Sequence, residues 1–130
     1  MAKAKLQDLE IYLLSMQLAE KVWTIVVNLD FFTKDTLGKQ WIRAIDSVSA
    51  NISEGYGRYS FVEMRKFVRI ARGSLSEHFT WLTKTHNRKL IIAEEYKSLM
   101  NDTRNLSVKI NNYLSALDKQ INSQPTANKA

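Results

Sequence analysis

The sequence predicts an all-α protein, an antiparallel up-down-up-down four-helix bundle. Three observations predict it. The only proline is Pro125, so the body of the chain is free of the residue that breaks helices. Apolar residues recur at three- and four-residue steps in four long segments. The connections between those segments are short, which makes successive helices antiparallel neighbours. Residues 1–122 read as one bundle domain, and 123–130 as a disordered tail.

The first helix is expected over residues 6–29, with Leu6, Leu9, Leu13, Met16, Trp23 and Val26 as its apolar line. Residues 30–35 interrupt the pattern and carry Phe31 and Phe32. The second helix is expected from Thr36, as N-cap, to Tyr56. Leu37, Trp41, Ile45, Val48 and Ile52 form its line, and Ser47, Ser49, Ala50, Asn51 and Ser53 let a neighbour approach. Gly55 and Gly57 then allow a turn with φ > 0. The third helix opens on a capping box, Ser60 with Glu63, and a hydrophobic staple, Tyr59 with Met64. It should reach His86, and Gly73 inside it points to a close contact. The fourth is expected over residues 93–120. Its seam of Tyr96, Leu99, Thr103, Leu106, Ile110, Tyr113 and Leu117 alternates steps of three and four.

The third helix is apolar around about half of its circumference, more than a bundle core requires. The surplus, which includes Ile70 and Trp81, fits a neighbouring subunit; the alternative places these two under the Phe31–Phe32 turn. Self-association is the expectation.

Nineteen basic and thirteen acidic residues give a formal net charge of +6. That excess fits nucleic acid as well as plain solubility. Arg58, Arg65, Arg69 and Arg72 fall within roughly a sixth of a turn of one another at about 100° per residue. Arg43 and Lys66 lie nearby in sequence. Exposed, this stripe would meet the phosphates of RNA or DNA. Paired with Glu54, part of it would instead hold the corner between the second and third helices. No array of aromatics interleaves the arginines, so stacking on bases is not expected.

Other chemistries lack their residues. With no cysteine there is no disulfide, thiolate catalysis or zinc–thiolate site. His78 and His86 have no carboxylate three residues earlier, so no Glu-x-x-His metal pair exists, and His78 reads as a hydrogen-bonded core residue. Ser60, Ser74 and Ser76 have no evident base, and Gly55-Tyr56-Gly57-Arg58 lacks the ending of a phosphate-binding loop. No enzyme activity, cofactor or metal is expected. Neither a signal peptide nor a membrane span is expected, and the protein is expected to be cytoplasmic.

Residues 49–58, Ser-Ala-Asn-Ile-Ser-Glu-Gly-Tyr-Gly-Arg, resemble the Ser-x-Asn-Ile-Ala-Glu-Gly-x-Gly-Arg motif of the bacterial 23S rRNA intervening sequence proteins, also labelled S23 ribosomal protein. Residues 70–77, Ile-Ala-Arg-Gly-Ser-Leu-Ser-Glu, are similar to that family's Ala-Arg-Gly-Ser-Leu-x-Glu block, and Leu9-Glu10-Ile11-Tyr12 to its start. The resemblance implies a four-helix bundle assembling as a homopentamer. It marks Asn51, Glu54, Gly55, Gly57, Gly73 and Ser74 as motif positions. Related accessory proteins of diversity-generating retroelements bind nucleic acid and a reverse transcriptase. Phe31-Phe32-Thr33 departs from the family's usual Phe-Pro turn; Asp46, His78 and Phe79 are further departures. The expected function is therefore a non-enzymatic oligomeric bundle that binds RNA or DNA through Arg43, Arg58, Arg65, Lys66, Arg69 and Arg72. The alternative is a protein–protein adaptor with structural arginines.

Overall fold

A computed structural model describes residues 5–6 and 9–124. Helix α1 is Glu10–Val26. Helix α2 is a continuous rod over 31–56, made of a first turn at Phe31–Thr33, a wide π turn at Lys34–Gly38 and the α-helical Lys39–Tyr56. Helices α3 and α4 are Phe61–Asn87 and Ala93–Ser123. Among the described residues there is no strand. Of the expected tail, 125–130 lie outside the described residues, and Ser123 closes α4.

The helices stand in a square, each packed against its two neighbours in chain order, with α1 closing against α4. Cross-helix bonds set their directions. Arg65 pairs with Asp118 and Arg72 with Asn111, so α3 and α4 run antiparallel. Glu10 with Lys109 and Lys21 with Asp102 do the same for α1 and α4. The core fills the centre, and each well-buried Leu, Ile or Val there contributes about 2 kcal/mol relative to exposure. On α2 the whole expected line, Leu37, Trp41, Ile45, Val48 and Ile52, is buried. On α4 Leu99, Thr103, Leu106, Ile110 and Leu117 are buried, while Tyr96 and Tyr113 are half-buried.

Val26 is buried and Leu9 packs on the core as expected, but the middle of α1 is turned relative to expectation. Leu13, Met16 and Trp23 are 43%, 41% and 53% exposed. Its inner face is Ile11, Ser15, Leu18, Ala19, Val22 and Val26. The helix is apolar on two faces, and the smaller side chains of Ser15 and Ala19 allow it to approach the core. The larger outer residues therefore dominate the sequence pattern without being buried.

The start of α2 also differs. Asp30, not Thr36, is the N-cap: its carboxylate accepts from the Thr33 amide at 3.0 Å and the Thr33 hydroxyl at 2.8 Å. These bonds hold its pKa below the usual carboxylate value. Residues expected to form a turn are helical, and Phe31 and Phe32 project outward, 81% and 75% exposed. Phe31 lines a groove with Trp23, Val27 and Ile42, away from Trp81. The π turn ends at Gly38, where a Cβ would lie 2.8 Å from Val26 Cγ1.

Ser60 caps α3 by accepting from the Glu63 amide at 3.1 Å. Tyr59 is fully exposed, so no staple forms. At the far end the Lys89 amide donates to His86 and the Leu90 amide to Thr85, with Lys89 at φ 58°. That is a Schellman closure with lysine where glycine is usual. The apolar surplus expected on α3 is divided between its flanks, because α3 packs on both α2 and α4. Trp81 packs against the core, whereas Ile70, Phe61 and Phe79 remain partly exposed.

His78 is fully buried at the meeting of three helices. Trp41 Nε1–H of α2 donates to its Nδ1 at 2.9 Å. An indole nitrogen can only donate, so Nδ1 is the acceptor and Nε2 carries the proton. Nε2 lies 2.9 Å from Thr103 Oγ1 of α4, and that hydroxyl donates to the Leu99 carbonyl at 2.7 Å. With the imidazole neutral, both ring nitrogens, the indole N–H and the Thr103 hydroxyl all have partners. Burial lowers the His78 pKa to about 4.

The glycines separate by packing. A Cβ on Gly55 would lie 2.9 Å from Phe67 Cβ and 3.0 Å from Met64 Sδ, so glycine lets α2 and α3 touch. No glycine among the described residues has positive φ, and Gly57 ends α2 at φ −74°. The turn is therefore made without left-handed backbone. Gly73 has nothing within 4 Å of a Cβ position, so the expected close contact is absent.

Unfolding monitored by denaturant should show Gly55→Ala destabilised by about 1–3 kcal/mol through overpacking and Gly73→Ala stabilised by about 1 kcal/mol. For His78 the native pKa is depressed below the unfolded value of 6.5, so the unfolded chain binds the extra proton between those values. Stability should accordingly fall as pH drops from 6.5 towards 4, by about 3 kcal/mol from this group. His78→Gln should lack that component in the same titration.

Candidate functional site

Helices α3 and α4 meet in a regular ladder. Positions 65, 72 and 79 of α3 recur every seven residues, and so do 118, 111 and 104 of α4 in the opposite direction. Arg65 Nη1 donates to Asp118 Oδ1 at 2.9 Å, and Arg72 Nη1 to Asn111 Oδ1 at 3.2 Å. One heptad further, Phe79 and Arg104 line the same groove. The heptad spacing holds neighbours in step because it returns the same helical face to the seam.

The ladder sorts the arginines by what neutralises them. Arg65 faces a carboxylate. Arg72 faces an amide, which orients its guanidinium without cancelling its charge. Arg69 is exposed beside it, and Arg104 adds a further cation from α4. Among the described residues neither Arg69, Arg72 nor Arg104 makes an ion pair with a carboxylate. Uncompensated positive charge therefore gathers at the middle of the seam.

Arg58 lies elsewhere. It follows Gly57, before α3 begins, and so stands outside the stripe. Its guanidinium bonds Glu54 one turn back and sits 4.9 Å from the centre of the Phe67 ring. Glu54 thus holds Arg58, as one of the two sequence readings required. Lys66 projects outward, its ammonium 5.8 Å from the Phe67 ring centre. Arg43 is exposed on α2, pointing away from that helix's buried line of Trp41, Ala44, Ile45 and Val48. Neither joins the α3–α4 group.

The motif residues form a separate structure on the α2–α3 seam. Asn51 Nδ2 donates to the Ser47 carbonyl at 2.8 Å and to Ser47 Oγ at 2.9 Å. The Ser74 hydroxyl donates to Ser47 Oγ at 3.0 Å. The Ser74–Ser47 bond and the Gly55 contact fasten α2 to α3, and Asn51 steadies Ser47 from within α2. Asn51, Gly55 and Ser74 hold the bundle together on one side while the uncompensated arginines occupy another.

The opposite face, along α1 and α2, has the reverse character. Leu13, Met16, Trp23 and Val27 are exposed there. Burial and the charge of Glu20 push the Asp46 carboxyl above its usual pKa. The bundle thus exposes an apolar stripe on one side and the unpaired arginines on the other.

Arg104 and Phe79 were not among the candidates read from sequence. Matching the heptads of α3 against those of α4 in antiparallel register would have found Arg104. Among the described residues no three His, Asp or Glu side chains cluster as metal ligands, and no helix is long and apolar enough to cross a membrane.

Residues 7–112 match the family described as 23S rRNA-intervening sequence protein. A crystal structure of a protein of unknown function from the S23 ribosomal protein family of Bacteroides thetaiotaomicron is similar, with a TM-score of 0.72 at 21% identity, covering 81% of this chain and 95% of the other. At that identity the likeness establishes the fold alone. No curated protein matches the chain significantly. The match spans most of the sequence and the four-helix bundle agrees with it: this chain belongs to the 23S rRNA-intervening sequence protein family.

Proposed function

We propose that the protein is a non-enzymatic, self-associating bundle that binds nucleic-acid phosphates along the α3–α4 seam. The observation that carries this reading is Arg72 and Arg104 on the seam, with Arg69 exposed one turn from Arg72, and no carboxylate among the described residues paired with any of the three. Guanidinium groups held in place by helix packing suit phosphate oxygens, and displaced counterions drive such binding. Arg58 and Arg65 already face carboxylates and contribute less. Arg43 and Lys66 stand apart from the seam.

Self-association belongs to the α1–α2 face. A stripe of four large apolar residues there, continued by Phe31, is costly to leave in water. The homopentamer implied by the family resemblance would cover it. The adaptor reading is supported by the Arg58–Glu54 and Arg65–Asp118 pairs, in which two of the arginines meet carboxylates of their own chain.

Binding to structured RNA and duplex DNA across a salt series, with mass followed by light scattering, separates these readings. Arg69→Glu with Arg72→Glu should abolish binding with helicity and mass unchanged. Arg69→Ala alone should reduce the salt slope by about 1. Trp23→Asp should lower the mass. Undiminished binding by the double variant would overturn the seam as the binding surface, and no binding by the wild type at low salt would favour the adaptor.

A further inference from the structure

Midway along the α3–α4 seam the two helices open into a groove. Arg72, Ser76 and Phe79 of α3 form one wall, and Arg104 and Ser107 of α4 the other. The Phe79 ring is 45% exposed there, in the same groove as two arginines. Phe61 stands eighteen residues earlier, five whole turns, hence on the same line of the helix and about 27 Å away. It too is partly exposed, at 39%. Arg65, Arg69 and Arg72 lie between them. The face therefore presents an aromatic ring, three arginines and a second aromatic ring, with Arg104 added from α4.

Duplex phosphates require only the cations, because paired bases keep their faces inside the stack. A single strand offers both phosphates and open π-faces, and an aromatic side chain beside cations suits that combination. We infer that this groove binds single-stranded nucleic acid, with one base stacked on Phe79 between Arg72 and Arg104 and the flanking phosphates on Arg69, Arg72 and Arg104. Ser76 and Ser107 lie at the groove walls, within the reach of a base edge. The inference rests on the nucleic-acid reading above and adds to it the form of the ligand and a base-contacting residue. It also places an aromatic beside the arginines, where the sequence led to no expectation of stacking.

The test compares three probes on the full-length chain at one low salt concentration: oligouridylate, an abasic phosphodiester strand of equal length, and duplex DNA. The wild type should bind oligouridylate roughly tenfold more tightly than the abasic strand, the scale of one base–aromatic stack. Phe79→Leu keeps an apolar side chain and should erase that difference while leaving duplex binding unchanged. Phe79→Trp should preserve it. Equal affinity of the wild type for the intact and abasic strands overturns the stacking site but leaves phosphate binding standing. Failure of all three probes to bind overturns both. A lower mass for Phe79→Leu in light scattering, with helicity retained, identifies the groove as a contact between copies of the chain and also overturns the inference.

Discussion

The buried imidazole of His78 is the constraint on which the geometry of this bundle depends. Apolar packing tolerates small slips between helices, because leucine and isoleucine have no directional preference. The chain from Trp41 through His78 and Thr103 to the Leu99 carbonyl does not tolerate them. A slip of one turn between α2, α3 and α4 would leave the indole N–H buried without an acceptor, at a cost of about 1–3 kcal/mol. The next residues along the two helices are Phe79 and Arg104. The bonds that fix 78 against 103 inside the bundle therefore also fix 79 beside 104 at its surface. Core register and surface chemistry are set by the same contacts.

That register decides which arginines are available. Arg65 and Arg58 meet carboxylates, and pairs so near the surface are worth at most about 1 kcal/mol each to stability. Their greater consequence is electrostatic, since a neutralised guanidinium has little left to offer a phosphate. Arg72 meets Asn111 instead, which holds the side chain and leaves its charge intact. The contrast between Asp118 and Asn111, one heptad apart on α4, divides structural arginines from available ones. The Asn51–Ser47–Ser74 bonds and the Gly55 contact make a firm seam between α2 and α3. The seam between α3 and α4 is left to carry charge.

Much of the fold was legible in the sequence. The line of α2 and the heptads of α4 are apolar on one face and polar on the other, so period and burial coincide. Ser60 announced the start of α3, and the motif around Gly55 identified the family. Where the reading failed, the local pattern was ambiguous. Helix α1 has two apolar faces, and only its neighbours determine which one turns inward. Asp30 caps α2 through Thr33, but two phenylalanines made that turn look like an interruption. Gly73 looked like a contact because glycine weakens a helix interior, yet nothing approaches it. The candidate site was less legible than the fold. Whether an arginine is neutralised depends on the residue facing it from another helix, so Arg104 and the distinction between Arg65 and Arg72 emerge only once α3 and α4 are in register.

The central claim is that the middle of the α3–α4 seam is the surface that meets nucleic acid. Photo-crosslinking a single-stranded RNA carrying 4-thiouridine to the intact protein, followed by mass spectrometry of the crosslinked peptides, tests it most directly. Crosslinks should concentrate on α3 around Phe79 and on α4 between Arg104 and Ser107. Crosslinks concentrated on the α1–α2 face, or around Arg43 on the outer side of α2, would contradict it.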